Sequence, residues 1–73
     1  MKIKYDPEAD AIYIYLQGNP DEKVEHTEEL GDGIAVDYGE GDTVMGVEIL
    51  DASLRLGFRR GRPEISLEQL GVP

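Results

Sequence analysis

The chain is organised by an alternation of apolar and polar side chains with a period of two residues, which is the period of a β-strand. The alternation recurs five times within the first 50 residues. Segment 11–16 (AIYIYL) is apolar or aromatic on both faces, which predicts a central strand. We predict strands over residues 2–6, 11–16, 23–29, 33–38 and 43–50.

The segments between these strands are short and rich in Gly, Pro, Asn and Asp, which favour turns. None reaches the length of about a dozen residues that a parallel crossover needs. We therefore predict a mainly β fold, all-β or α+β, in which a five-stranded antiparallel meander is followed by a short C-terminal helical element. In a meander, the edge strands are 2–6 and 43–50.

Helical signals begin after the fifth predicted strand. Asp51 as N-cap and Gly57 as terminating residue predict a short helix. Ser66 begins a second predicted helical turn, which ends at Leu70.

The predicted core consists of six aliphatic residues at inward positions of the strands. Leu54 and Leu56 are expected to cover part of the sheet, and Leu67 and Leu70 are further candidates for this role. The six residues are Ile12, Ile14, Ile34, Val36, Val47 and Ile49.

Composition narrows the class of protein. Of 73 residues, 40% are hydrophobic and 32% are charged, which favours one small globular domain over a disordered acidic tail. The absence of cysteine excludes disulfide scaffolds, zinc ribbons and thiol nucleophiles. No apolar run approaches the roughly 20 residues of a membrane span, so we expect a soluble, cytoplasmic protein with no membrane partner. Residues 1–56 are expected to form the β-meander domain with its helical turn, and 57–73 a basic, then helical, tail that packs on this body or on a neighbouring subunit.

Charge is divided unevenly along the chain. Residues 1–53 contain three lysines and fourteen acidic residues, a net charge of −11, whereas residues 54–73 contain four arginines and two glutamates, a net charge of +2. A nucleic-acid surface built from Phe58 and the arginines is disfavoured, because the acidic body repels phosphate. We therefore predict no nucleic-acid partner, and expect the arginines to contact acidic residues of the sheet or of a neighbouring subunit.

The titratable residues form no recognisable catalytic constellation. His26 is the single histidine and lies in a polar segment, which favours an exposed strand residue over a general base or metal ligand. Ser53 lacks the G-x-S-x-G context of a nucleophile and fits the start of a helix. The acidic stretch 32–42 lacks the ligand spacing of a calcium loop, and its glycines do not match a phosphate-binding loop. We predict no catalytic residue, cofactor or metal site.

Eight residues are candidates for an interface. Tyr13 and Tyr15 share one face of the central strand, where they form either a recognition surface or a second core layer. The predicted edge strand 43–50 carries one charge, Glu48, and must be covered by closure of the sheet or by another chain, of which we favour the latter. The candidates are Tyr13, Tyr15, Val44, Leu50, Phe58, Arg59, Arg60 and Arg62.

Four segments follow one another in a recognisable order: YDPEADAIYI at 5–14, TEE at 27–29, GIAVDY at 33–38 and VMGVEILDAS at 44–53. Together they resemble the small prokaryotic family known as domain of unknown function 2283, over roughly residues 1–56. The resemblance implies a small, mostly β protein with no established activity and no catalytic residues to carry over. It also implies an antitoxin-like role, since small toxin-like proteins accompany some members.

Two classes of function follow from these observations. The first is a non-enzymatic protein-interaction module, acidic and homo-oligomeric (a dimer or higher), that binds a basic partner such as a small nuclease. The alternative is a small-ligand or divalent-metal-binding domain that uses the acidic loops. An enzyme is disfavoured by the scarcity of grouped titratable residues.

Overall fold

The structure is a computed structural model that describes residues 1–16 and 22–64. These residues are mainly β with one short helix, which confirms the predicted fold class. The elements are β1 (Lys2–Asp6), β2 (Ala11–Tyr15), β3 (His26–Glu29), β4 (Ile34–Tyr38), a 3₁₀ turn (Glu40–Asp42), β5 (Val44–Ile49) and α1 (Ala52–Leu56). The helical turn predicted from Ser66 to Leu70 lies outside the described residues.

All five strands pair antiparallel in one sheet, in the order β1-β2-β5-β4-β3. The prediction of five antiparallel strands is confirmed, but the sequential order of a meander is wrong, because β5 lies between β2 and β4. Strand β5 is therefore central, and β3 is an edge strand. Strand β5 (VMGVEI), which is mostly apolar, therefore has a neighbouring strand on each side. Strand β3 (HTEE), which is polar, lies at an edge, where its side chains stay hydrated.

The predicted core residues form two rows across one side of the sheet, which we call the aliphatic face. The rows are Ile12–Ile49–Ile34 and Ile14–Val47–Val36. Ile12 is 1% exposed and Val36 is 8% exposed, whereas the other four are half-buried. The sequence pattern thus predicts the shared face correctly, and burial is greatest at one residue of each row.

Helix α1 buries Ala52 and leaves both of its leucines largely exposed. The expectation that Leu54 and Leu56 cover the sheet is wrong, because these residues are 84% and 53% exposed. Two positions along a helix correspond to a rotation of about 200°, so Leu54 points away from the side on which Ala52 is buried. The helix ends before Gly57, as predicted. In residues 1–16 and 22–64, no helix is both long and apolar enough to cross a membrane.

Candidate interaction surfaces

The carboxylate of Asp10 ties the turn between β1 and β2 to helix α1. Asp10 is 5% exposed, and its φ of 51° is a left-handed conformation that aspartate tolerates. Its Oδ1 accepts a hydrogen bond from the Tyr5 hydroxyl at 2.8 Å, and its Oδ2 accepts one from the Ser53 hydroxyl at 2.7 Å. The Ser53 N–H lies 3.2 and 3.3 Å from the two carboxylate oxygens. Asp10 therefore caps α1 from a distant part of the chain.

This contact corrects the predicted cap of the helix. Asp51 occupies the N-cap position but makes no side-chain capping hydrogen bond. The first two N–H groups of α1 are bonded instead to Asp10, that of Ala52 to the main-chain carbonyl at 2.8 Å and that of Ser53 to the side chain. Ser53 does lie at the start of the helix, as predicted.

Asp10→Asn is expected to reduce the change in the stability of the protein between neutral and acidic pH. The hydrogen bond from the Ser53 hydroxyl holds the pKa of the Asp10 carboxyl below its ordinary value, although burial opposes this effect. A carboxyl group whose pKa is lower in the folded state stabilises the fold above its unfolded-state pKa of about 4, and that contribution is lost as the pH falls through the folded-state pKa. Thermal melts should show a lower Tm for the variant than for the wild type at neutral pH, and a difference that shrinks below about pH 4.

A difference in Tm between wild type and Asp10→Asn that is equal at neutral pH and at about pH 2.5 would contradict this assignment. Asparagine is the suitable replacement, because it keeps the shape of the side chain and tolerates the positive φ of 51°.

A chain of polar contacts crosses the opposite side of the sheet, which we call the tyrosine face. The Tyr13 ring lies over Gly46 of β5, and its hydroxyl donates a hydrogen bond to Asp37 Oδ2 on β4. The Thr27 hydroxyl on β3 donates to Asp37 Oδ1 at 2.5 Å. A Cβ atom at position 46 would lie 2.7 Å from Tyr13 Cζ, so the crossing requires glycine. Burial, followed by the contact with Asp37, raises the pKa of the Tyr13 hydroxyl, which keeps it a neutral donor.

The apolar candidates for an interface lie in different surroundings. Tyr13 is half-buried and its hydroxyl is bonded, whereas Tyr15 is 38% exposed with its ring centroid 4.4 Å from that of Tyr13. Val44 and Leu50, at the start of β5 and just after it, are also partly exposed. The expectation that Val44 belongs to an open edge strand is wrong, because β5 pairs with a strand on each side.

The arginine-rich segment forms a tight turn, which we call the basic hairpin (Arg59–Arg62). The Arg62 N–H donates to the Arg59 carbonyl at 2.8 Å. Gly61, inside this turn, has a φ of 82°. This left-handed value is one that glycine adopts more easily than other residues. The side chains of Arg59 and Arg62 are exposed.

The basic hairpin is anchored to the β1 end of the sheet. The Phe58 ring meets the Tyr5 ring edge-on, with centroids 5.4 Å apart. The Gly61 N–H donates to the Tyr5 hydroxyl at 2.9 Å, and Arg60 Nη2 donates to the Glu8 carbonyl at 3.1 Å. Phe58 and Arg60 are thus occupied by contacts within the chain.

The other edge of the sheet is strand β3, whose four residues are all exposed. We define the acidic edge as Glu25, Glu28 and Glu29, which lie on this strand or directly before it. Each of the three side chains is exposed. The acidic edge is therefore a negatively charged border of the sheet.

Backbone donors lie beside the acidic edge. The Leu30 N–H donates to the Ile34 carbonyl at 2.8 Å. Leu30 therefore occupies a position that is hydrogen-bonded to the neighbouring strand. Such positions alternate with non-hydrogen-bonded ones along an antiparallel pair, so Thr27 and Glu29, three and one residues before Leu30, direct their N–H groups away from β4. No strand in the described part of the chain pairs with this side of β3.

The residues considered for catalysis or metal binding have other contacts. His26 stacks on Tyr38 with ring centroids 4.8 Å apart, and its Nε2 lies 4.0 Å from Asp42 Oδ1. The Ser53 hydroxyl is bonded to Asp10 rather than to a histidine. Among residues 1–16 and 22–64, no group of three or more His, Cys, Asp or Glu side chains is arranged to hold a metal ion.

The residues of these networks that are not candidates on sequence alone include Asp10, Asp37 and Gly46. Gly46 carries a usable signal, since glycine inside an apolar strand indicates a bulge or the close approach of another group. Asp10 and Asp37 carry none, because an aspartate in a turn or at an alternate strand position is typical of a hydrated surface.

A family model described as "Protein of unknown function (DUF2283)" matches residues 2–53. The chain belongs to this family. The matched DUF2283 range contains the five described strands and ends at Ser53, so the contacts of Asp10 join the first hairpin to the last matched residue. The basic hairpin lies outside the matched range.

One relative of this DUF2283 chain is a Methanosarcina mazei protein named "Putative hypoxanthine phosphoribosyltransferase". The two sequences are 41% identical over 59 residues, which is 81% of this chain and 45% of that protein. The chain thus spans less than half the length of this relative. No solved structure matches the chain.

Proposed function

We propose that this DUF2283 chain is a non-enzymatic protein-interaction module that binds a basic polypeptide along strand β3. The proposal rests on the acidic edge, where exposed carboxylates lie beside the outward N–H groups of Thr27 and Glu29. An open sheet edge can accept an added strand, in which backbone hydrogen bonds supply affinity and alternate side chains supply specificity.

The charge of the molecule favours a basic occupant of this edge. The net charge is −9, and in the described part of the chain the acid–base contact within 4.0 Å is that of His26 with Asp42. The acidic edge is therefore not neutralised by ion pairs with its described neighbours. A negative surface of this kind speeds association with a basic partner, and the effect weakens as salt rises.

An antitoxin-like role is the specific form of the proposal, with a small, basic, nuclease-like protein as the partner. The activity in the name of the Methanosarcina mazei relative is not carried over, because this chain corresponds to 45% of that protein.

The binding surface is tested with a defined basic strand, a short peptide in which lysine and valine alternate. Isothermal titration calorimetry should show binding that weakens as ionic strength rises. Glu28→Gln/Glu29→Gln should bind the peptide roughly 2–30-fold more weakly, because each exposed charge contact contributes about 0.2–1 kcal/mol.

The matched control is Glu40→Gln/Glu48→Gln, which removes two charges of the same type from exposed positions outside β3. An equal loss of affinity in both variants would mean that peptide binding depends only on the net charge of the protein. That result would contradict a binding site on β3. No binding by the wild type at low ionic strength would contradict the proposed function as a whole.

A further inference from the structure

The two edges of the sheet carry opposite charges. Strand β1 presents the exposed Lys2 and Lys4, and the basic hairpin anchored at its end presents the exposed Arg59 and Arg62. We call these four residues the basic edge. The acidic edge lies at the other side of the sheet, four interstrand spacings away, which is about 19 Å.

The separation prevents the two edges from neutralising each other within one chain. The Debye length at physiological ionic strength is about 8 Å, so charges about 19 Å apart at the surface are largely screened. Contact between two copies would place the same charges side by side.

We propose that the acidic edge of one copy binds the basic edge of a second copy. This inference rests on the proposed function, since it uses the same acidic edge and names a second copy as one polypeptide that occupies it. The charges on the two surfaces are complementary, and each surface includes a sheet edge. The hairpin contacts β1 through the Tyr5 side chain, and among the described residues no backbone hydrogen bond from another segment occupies the outer side of β1.

The contact is head-to-tail, because it joins two different surfaces of the same chain. Each copy in such a pair keeps one unoccupied edge, so assembly continues to a closed ring or an open chain. A symmetric pair that stops at two copies is a different arrangement. The number of chains in the assembly therefore distinguishes the two.

Sedimentation velocity over a range of micromolar concentrations tests the inference on the full chain. The wild type should show masses above the 8.1 kDa of one chain, including species of more than two chains, and should dissociate as salt rises. Glu28→Lys/Glu29→Lys should sediment as one chain, with a dissociation constant raised at least tenfold.

The matched control is Glu40→Lys/Glu48→Lys. Both variants change the net charge from −9 to −5, so both reduce the general repulsion between copies. If association depended on net charge alone, both variants would associate more strongly than the wild type. The head-to-tail contact instead requires that the β3 variant loses association while the control keeps it.

A second variant guards against misfolding, because charge reversal on β3 could itself disturb the sheet. Arg59→Glu/Arg62→Glu should also sediment as one chain. An equimolar mixture of this variant with Glu28→Lys/Glu29→Lys should associate again, since the unchanged basic edge of the β3 variant meets the unchanged acidic edge of the hairpin variant and the two reversed surfaces are also complementary. Failure of the mixture to associate would contradict the proposed pairing of surfaces.

A wild type that stays one chain, or that stops at two chains, would overturn the head-to-tail inference. If the Lys–Val peptide still bound to β3 in that case, the proposed function would stand and only the second copy would be excluded as an occupant. If neither the peptide nor a second copy bound, both proposals would fail.

Discussion

Ile12→Ala is expected to lower the free energy of unfolding by about 2–5 kcal/mol. Ile12 is the largest fully buried side chain in the described part of the chain, at 1% exposure, and it lies in the row that links β2, β5 and β4. The loss is a large share of the roughly 5–15 kcal/mol that stabilises a typical domain. Urea denaturation followed by circular dichroism measures it.

Two further substitutions provide comparisons for the loss of stability in Ile12→Ala. Ile14→Ala removes the same atoms from the neighbouring row, but Ile14 is half-buried, so a smaller loss is expected. Leu54→Ala acts at a site that is 84% exposed and should change the stability by no more than about 0.5 kcal/mol. A loss for Ile12→Ala no larger than that for Leu54→Ala would refute the placement of the core.

Gly46→Ala is expected to destabilise the protein by about 1–3 kcal/mol. Alanine in a strand is ordinarily more stable than glycine by about 0.5–1 kcal/mol, so the expected sign is the reverse of the usual one. The reason is the Tyr13 ring, since an added Cβ would lie 2.7 Å from its Cζ and 2.8 Å from its Cε1. The ring would have to move, and its hydrogen bond with Asp37 would be lost.

A double-mutant cycle isolates this steric effect. In a Tyr13→Ala background the obstructing ring is absent, so Gly46→Ala should be neutral or stabilising by about 0.5–1 kcal/mol. If Gly46→Ala costs the same free energy of unfolding in both backgrounds, the two residues do not interact and the proposed crossing is wrong.

The positions of the strands can be predicted from the sequence, because the alternation of side chains is local. Their order cannot, because it depends on the lengths of the connections. The pattern predicts a strand over 23–29, whereas β3 begins at His26. The sequence separation between Tyr15, the last residue of β2, and His26, the first residue of β3, is therefore larger than predicted, and β5 lies next to β2.

The candidate surfaces, like the strands, can be predicted from the sequence only where they depend on residues that are close together along the chain. The uneven distribution of charge along the chain is visible in its composition, but its separation onto opposite edges depends on the strand order. Asp10 lies in a turn that the sequence predicts, yet its partner Ser53 is 43 residues away. Interactions between such distant residues leave no periodic signal in a single sequence.

The most direct test of a binding surface on β3 is the rate of hydrogen exchange at the Thr27 and Glu29 amides. These rates can be measured by NMR with and without the Lys–Val peptide, at a concentration where calorimetry shows that the peptide is bound. Strand addition would give both outward N–H groups a hydrogen-bond partner, so their exchange should slow by about tenfold or more. Unchanged exchange rates at the Thr27 and Glu29 amides with the peptide bound would contradict the proposal that β3 is the binding surface.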